Sequence, residues 1–168
     1  MRVFGIDCGT EYTGYGIVET SGRNELRYVA CGAVKLNKRF NSADRLKQVH
    51  EELEAQIAAH LPDVLAIEEV FYSVNPKSAL KLGQVRGVAM LAGARAGLPI
   101  AEYSPLAIKS AVVGYGRADK QQVQYMVTKL LALSQPPEPF DASDALAIAI
   151  CHLHTSATLL RQSAGAHV

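Results

Sequence analysis

Three stretches of this 168-residue chain set acidic side chains at the ends of apolar segments. Asp7 closes the run Val3-Phe4-Gly5-Ile6 and is followed by Cys8-Gly9-Thr10. Glu68 and Glu69 lie late in the segment Val64 to Phe71, and Asp141 and Asp144 head the almost wholly apolar stretch Ala145 to Ile150. Residues three apart share a helical face, so Asp141 and Asp144 can present two carboxylates together. Aspartate at a helix start is also an ordinary capping choice. A helix this apolar must be buried, however, which places both acids at the rim of a core. Side chains alternate along a strand, so only one of Glu68 and Glu69 can share a site with Asp7. Clustered carboxylates repel one another, and hard divalent cations with oxygen ligands relieve that repulsion. Magnesium suits a site of a few carboxylates plus phosphate oxygens. Two such ions about 3.5–4 Å apart clamp the attacking and leaving oxygens of an in-line phosphoryl displacement.

Cations and an aromatic pair stand where a phosphate chain could use them. Lys77 and Lys81 form an i, i+4 pair, and Lys109, Arg117 and Lys120 flank Gly114-Tyr115-Gly116, where glycine permits close backbone approach to a phosphate. Each is equally at home as a solvated charge. Phe71-Tyr72 follows the Glu68 strand and offers either strand-end packing or stacking on an unpaired base. Cys151-His152-Leu153-His154 looks superficially like a zinc site. Its histidines point to different helix faces, and His152 is roughly 16 Å up the helix from Asp141.

The elements that must carry these residues follow from periodicity. Val3 to Asp7, Thr13 to Thr20 and Leu26 to Leu36 are predicted strands, with Ser21-Gly22-Arg23-Asn24 as a hairpin turn. Leu46, Val49, Leu53 and Ile57 recur at helical spacing behind Asn41 or Ser42 as N-cap. Val64 to Phe71 is a fourth strand. A long helix from about Lys77 to Ala96, ended by Gly97 and Pro99, leads to a fifth, Ile100 to Tyr103. Helices around Val123–Leu131 and Asp144–Leu160 complete the order β-β-β-α-β-α-β-α-α. Turn-length connections make the first three strands antiparallel, and the two reached across helices must join as parallel strands. The expected fold class is α/β: a five-stranded mixed sheet, three antiparallel strands plus two parallel, with helices on both faces. On the long helix Gly83, Gly87, Met90, Ala94 and Gly97 make a stripe that permits close approach by another backbone, in the same subunit or a partner.

Composition narrows the class. One domain spanning 1–168 is the expectation from length, with the last ~8 residues as a flexible tail. Hydrophobic residues make up 49% and charged residues 20%, which excludes disordered, collagenous and coiled-coil chains. No apolar run approaches a membrane span, and the N-terminus does not read as a signal peptide. The net charge of +1 means that any basic surface must be local. Three cysteines without a Cys-x-x-Cys pair point to a reduced, cytoplasmic setting rather than a disulfide framework.

Several segments together resemble the RuvC family of bacterial Holliday junction resolvases, within the ribonuclease H-like superfamily. They are Gly5-Ile6-Asp7-Cys8-Gly9-Thr10 with Thr13-Gly14-Tyr15-Gly16, Ala66-Ile67-Glu68-Glu69-Val70-Phe71, Ser78-Ala79-Leu80-Lys81-Leu82-Gly83-Gln84, Val112-Val113-Gly114, and Asp141 through Ala149. The resemblance runs from Arg2 to about His154. It implies a ribonuclease H-like fold and makes Asp7, Glu68, Asp141 and Asp144 the catalytic, metal-binding acids, choosing Glu68 over Glu69. It implies two Mg²⁺ per active site, with Mn²⁺ as a substitute. It places Lys109 and Lys120 near the reacting phosphate, gives Phe71 a part in opening the junction, and leaves Lys77, Lys81, Arg86 and Arg117 as further DNA contacts. The implied reaction is paired symmetric nicking of a four-way DNA junction in recombination and repair, leaving 5′-phosphate and 3′-hydroxyl ends. The implied partners are a second copy of the chain and the branch-migration helicase complex of RuvA and RuvB. Cys8 departs from the family's usual proline, and Glu69 from its frequent glutamine. Asp7-x-Gly9-Thr10 also resembles the phosphate loop of actin-like kinases, which need two lobes where this chain offers one. A ribonuclease H-like nuclease acting on RNA is the nearer rival; the Asp141 and Ser78 segments favour the resolvase.

Overall fold

The structure, a computed structural model, describes residues 1–21, 25–69 and 75–165. Strands β1 (Arg2–Asp7), β2 (Tyr12–Thr20) and β3 (Leu26–Lys35) are joined by helix α1 (Ser42–His60) to β4 (Val64–Glu68). Helix α2 (Pro76–Arg95) leads to β5 (Ile100–Tyr103), and α3 (Pro105–Val113), α4 (Lys120–Leu130) and α5 (Phe140–Gly165) follow. The sheet order is β3-β2-β1-β4-β5, antiparallel among the first three strands and parallel from β1 through β4 to β5. This is the mixed sheet that the connection lengths require. Gly22–Asn24 of the expected hairpin turn lie outside the described residues.

Each face of the sheet carries its own core. Phe4, Ile6, Ile17, Leu65 and Ile67 pack with Val49 and Leu53 of α1 and Val85 and Ala89 of α2. On the other face Val3, Val18 and Ala66 pack with Ile108 and Val112 of α3, Val123 and Val127 of α4, and Leu146 to Ile150 of α5. The burial of Leu146 to Ile150 explains why this segment is so apolar: α5 is covered on nearly every side.

Three boundaries differ from the sequence reading. First, α3 occupies a stretch between β5 and the Val123 helix for which the sequence predicts no element. Ser104 caps it by accepting from the Ala107 amide at 3.2 Å, Pro105 occupies the first turn, and Gly114 ends it at φ 92°. A serine cap, a first-turn proline and a terminal glycine are ordinary helix punctuation, and they delimit a helix only nine residues long. Second, β4 ends at Glu68 rather than Phe71. Third, α5 begins at Phe140 and continues to Gly165, well into the stretch expected as a tail. Ahead of that stretch, the hydroxyls of Thr155 and Ser156 bond back to the carbonyls of Cys151 and His152. Elsewhere Asn41 is the α1 cap, its side chain accepting from the Asp44 amide at 2.9 Å.

Candidate active site

The register of the strands decides which acids meet. Gly5 and Asp7 point to the α5 face of β1, as do Ala66 and Glu68 on β4, whose pairing with β1 aligns Gly5 with Ala66 and Ile6 with Ile67. Glu69 turns the other way, is exposed, and donates its amide to the Tyr103 carbonyl at 2.8 Å. The choice of Glu68 over Glu69 therefore agrees with strand alternation. On β2, Gly14 lies opposite Asp7 and Gly16 opposite Gly5. These glycines make a floor without side chains, on which α5 lies. A Cβ on Gly14 would collide with the Asp141 carbonyl, and one on Gly16 would stand 2.5 Å from the Leu146 amide nitrogen. Backbone contact this close is what brings the first turn of α5 to the end of β1.

The result is a pocket of about 210 Å³ lined by Asp7, Glu68, Asp144, Lys109 and Lys120, with Pro105, Ile108, Val123 and Ile148 as its apolar wall. Asp141 is not part of this lining. It stands on the Gly9 side, where a Gly9 Cβ would lie 3.6 Å from its Oδ1. Lys120 Nζ donates to Asp144 Oδ2 at 2.9 Å. Lys109, borne by the unforeseen helix α3, completes the rim.

Electrostatics single out Asp7. Burial, then the carboxylates of Asp144 and Glu68, push its pKa up to about 7, with Lys120 opposing and Asp141 adding a smaller push. Glu68 is raised in the same way, by burial and then Asp144, against the pull of Lys120 and Lys109. Burial alone would lower Lys120, but its hydrogen bond to Asp144 and the nearby acids hold its pKa above the ordinary lysine value. Acids that resist ionising beside one another mark a place where added positive charge is favourable. The donor set is entirely hard oxygen, which fits Mg²⁺ or Mn²⁺ and not a thiolate-seeking metal. Among the described residues no three His, Cys, Asp or Glu side chains already form a closed cage. A cation that keeps several waters and binds through one or two carboxylates needs only the shared rim seen here.

The other sequence candidates fall outside the pocket. Lys77 and Lys81 are exposed on the first turns of α2, and Lys81 borders a separate groove with Thr10, Lys38 and Ser78. Arg117 is exposed ahead of α4. Arg86 is turned inward onto β4 and β5 rather than presented to solvent. Phe71 lies outside the described residues. Cys8 is pushed up to about 12, by burial and then by Asp7. His152 Nδ1 lies 2.8 Å from the Tyr103 hydroxyl, and His154 Nδ1 is 3.0 Å from the Ala111 carbonyl, so each histidine has a structural partner.

Comparison with known proteins identifies relatives of this chain. The family model described as crossover junction endodeoxyribonuclease RuvC matches residues 3–152. The RuvC protein of Koribacter versatilis is 62% identical over 166 residues, covering 99% of this chain and all of that protein. The RuvC protein of Acidobacterium capsulatum is 61% identical, covering 96% of this chain and 98% of its own length. Among solved structures, Thermus thermophilus RuvC in complex with a Holliday junction substrate superposes with a TM-score of 0.87 at 32% identity. That match covers 93% of this chain and 94% of the other. A yeast mitochondrial Holliday junction resolvase shares the fold at a TM-score of 0.70 and 15% identity.

Proposed function

The chain belongs to the RuvC family of crossover junction endodeoxyribonucleases, and from that premise we propose that it resolves four-way DNA junctions by paired, metal-dependent nicks. The observation that carries this reading is the single pocket in which Asp7, Glu68 and Asp144, from three separate elements, face Lys109 and Lys120. In this reading Asp7, Glu68, Asp141 and Asp144 hold the divalent ions, with Mg²⁺ the natural occupant and Mn²⁺ a substitute. Two such ions would activate a water for in-line attack and stabilise the leaving 3′-oxygen.

The chain's own residues do the rest. Asp7 stands where the pushes of Glu68, Asp141 and Asp144 meet, and is the acid best placed to serve both ions. Lys109 and Lys120 supply positive charge to the bound phosphate. The apolar wall of Ile108, Val123 and Ile148 shields the carboxylates from bulk water and strengthens their field. No side-chain nucleophile is called for: the one thiol nearby, Cys8, stays protonated at neutral pH. Lys77, Lys81 and Arg117 would track phosphates of the junction arms.

The test is denaturing-gel mapping of both strands of a synthetic four-way junction, with linear duplex of the same sequence as control. Cuts at symmetric positions, requiring Mg²⁺ and leaving 5′-phosphates, are expected. Equal cutting of the linear duplex, or cutting in EDTA, would rule the reading out. Binding by several lysines also implies affinity that falls steeply with salt.

Symmetric nicking calls for two sites, and a homodimer supplies them. The outer face of α2 supports this partner: Leu80 is 72% and Leu91 52% exposed, and a Cβ on Gly83 or Gly87 would meet open space. Leu91→Glu should shift sedimentation from dimer to monomer and uncouple the two nicks. A variant that still sediments as a dimer would move the interface elsewhere. The same family reading places the protein in the cytoplasm, as one domain, working with the RuvA and RuvB branch-migration complex. None of its described helices is long and apolar enough to cross a membrane.

A further inference from the structure

Arg86 sits in the middle of α2 and reads, in sequence, as one more cation for DNA. Its side chain is only 17% exposed. Nε donates to the Glu68 backbone carbonyl at 3.1 Å, one terminal nitrogen is paired with the Glu102 carboxylate, and the other lies 3.3 Å from Met90 Sδ. A guanidinium has a rigid fork of five N–H donors, and here every nitrogen of that fork already has a partner. Three of its five N–H donors are engaged inside the fold, and the group is turned away from solvent.

The place of these contacts gives them a function. The β1–β4 ladder ends at the Ile6–Ile67 pair, so the Glu68 carbonyl lies one step past the last register pair. Glu102 is the register partner of Ile67 on β5 and so shares the α2 face of the sheet. Arg86 therefore grips the main chain of Glu68 from the α2 side, while the Glu68 carboxylate projects into the pocket on the α5 side. Glu68 is the last residue of β4, so this grip falls at the very end of the strand.

We propose that Arg86, anchored by Glu102, is a positioning residue: a clamp behind the sheet that fixes the end of β4 and so sets the Glu68 carboxylate for divalent-ion binding. The inference rests on the metal-dependent nuclease reading above. Groups that orient a metal ligand from behind, when removed, typically cost about 10–100-fold in metal affinity or activity.

The experiment uses the full chain and two variants, Arg86→Met, which keeps the apolar stem, and Glu102→Ala, which leaves the arginine but removes its anchor from an exposed position. Both should lower nicking about 10–100-fold at limiting Mg²⁺, with substantial recovery as Mg²⁺ is raised. Both should shrink the rise in melting temperature that Mn²⁺ alone produces, a readout independent of cleavage. Junction affinity in EDTA, and its salt slope, should match wild type. The double variant should be little worse than either single one, because the two residues act as one unit. A fall in EDTA affinity with a salt slope reduced by about one would make Arg86 a phosphate contact and overturn the proposal. Unchanged Mn²⁺ stabilisation in Glu102→Ala would overturn it too, even if Arg86→Met failed to fold. Glu68→Gln is the companion control. If it nicks like wild type, the nuclease reading of Glu68 fails, separately from the clamp.

Discussion

Gly14→Ala should cost about 100-fold in junction nicking and lower the melting temperature by roughly 4–8 °C, all from one methyl group. The argument is steric. A Cβ at residue 14 would overlap the backbone carbonyl of Asp141 and lie 3.0 Å from the Asp141 Cβ. These atoms belong to the first turn of a 26-residue helix whose next turns are buried against both β1 and β2. The helix cannot bend away locally, so its head must lift. Overpacking of this kind costs about 1–3 kcal/mol, and in a domain of this size each kcal/mol moves the melting temperature by about 2–4 °C. The catalytic penalty is larger than the stability penalty, because Asp141 and Asp144 ride on the displaced turn. Misplacing a catalytic group by about 1 Å can remove two orders of magnitude in rate. Gly16→Ala is the informative comparison. Its Cβ would meet the Leu146 amide nitrogen at 2.5 Å, two residues past Asp144 rather than on Asp141 itself. It should lose comparable stability and less activity. Thermal melts and single-turnover nicking of both variants decide the matter. Full activity in Gly14→Ala would mean that the glycine floor does not set the position of α5.

Such a dependence of the site on register explains what could and could not be read from the sequence. Asp7 and the acids of α5 were legible because each ends or heads an apolar segment, and apolar segments must be buried. The buried helix α5 announced itself by having almost no polar face. Strand alternation limited the β4 acid to one of Glu68 and Glu69; the resemblance chose Glu68, and the parallel pairing of Gly5 with Ala66 supplies the physical reason. Helix α3 was missed because it offers little more than two turns, too short for a periodicity to emerge from Leu106, Ile108 and Val112. Lys109, which the sequence places only beside Gly114-Tyr115-Gly116, is a residue of that helix and lines the pocket. Arg86 was misleading for a different reason. Its partners are 18 and 16 residues away, on two strands, and nothing local distinguishes a cation that reaches inward from one that faces solvent. Local pattern reports which side chains must be buried. It does not report which long polar side chain reaches around the end of a strand.

Asp7→Asn should abolish nicking, by about 10³-fold or more, and yet make the metal-free protein more stable. The first half follows from its place among the acids. The second follows from its pKa, raised from 3.8 to about 7 by burial and then by Asp144 and Glu68. Below the ordinary carboxylate value Asp7 is protonated in both the folded and unfolded chain, and the fold carries no penalty. As pH rises from there to the folded value near 7, the unfolded chain releases a proton that the fold retains. Stability is lost across that window, and above it the fold bears the full cost of a buried charge among like charges. Discounted for the water that reaches a half-buried carboxylate, that cost is on the order of 2 kcal/mol, or roughly 4–8 °C. Asparagine keeps the shape and removes the charge. In EDTA at pH 8 the variant should therefore melt above wild type, and the gap should close as the pH approaches 4. Added Mg²⁺ should narrow the gap from the other side, because an ion held by the native acids stabilises only the wild type. Junction binding in EDTA should be retained or improved, since the substitution removes one negative charge from a phosphate-facing pocket. A variant that melts lower than wild type at pH 8 without metal would show that Asp7 is a structural anchor and not a strained acid kept for its charge. Surviving Mg²⁺-dependent nicking would remove it from the catalytic set altogether.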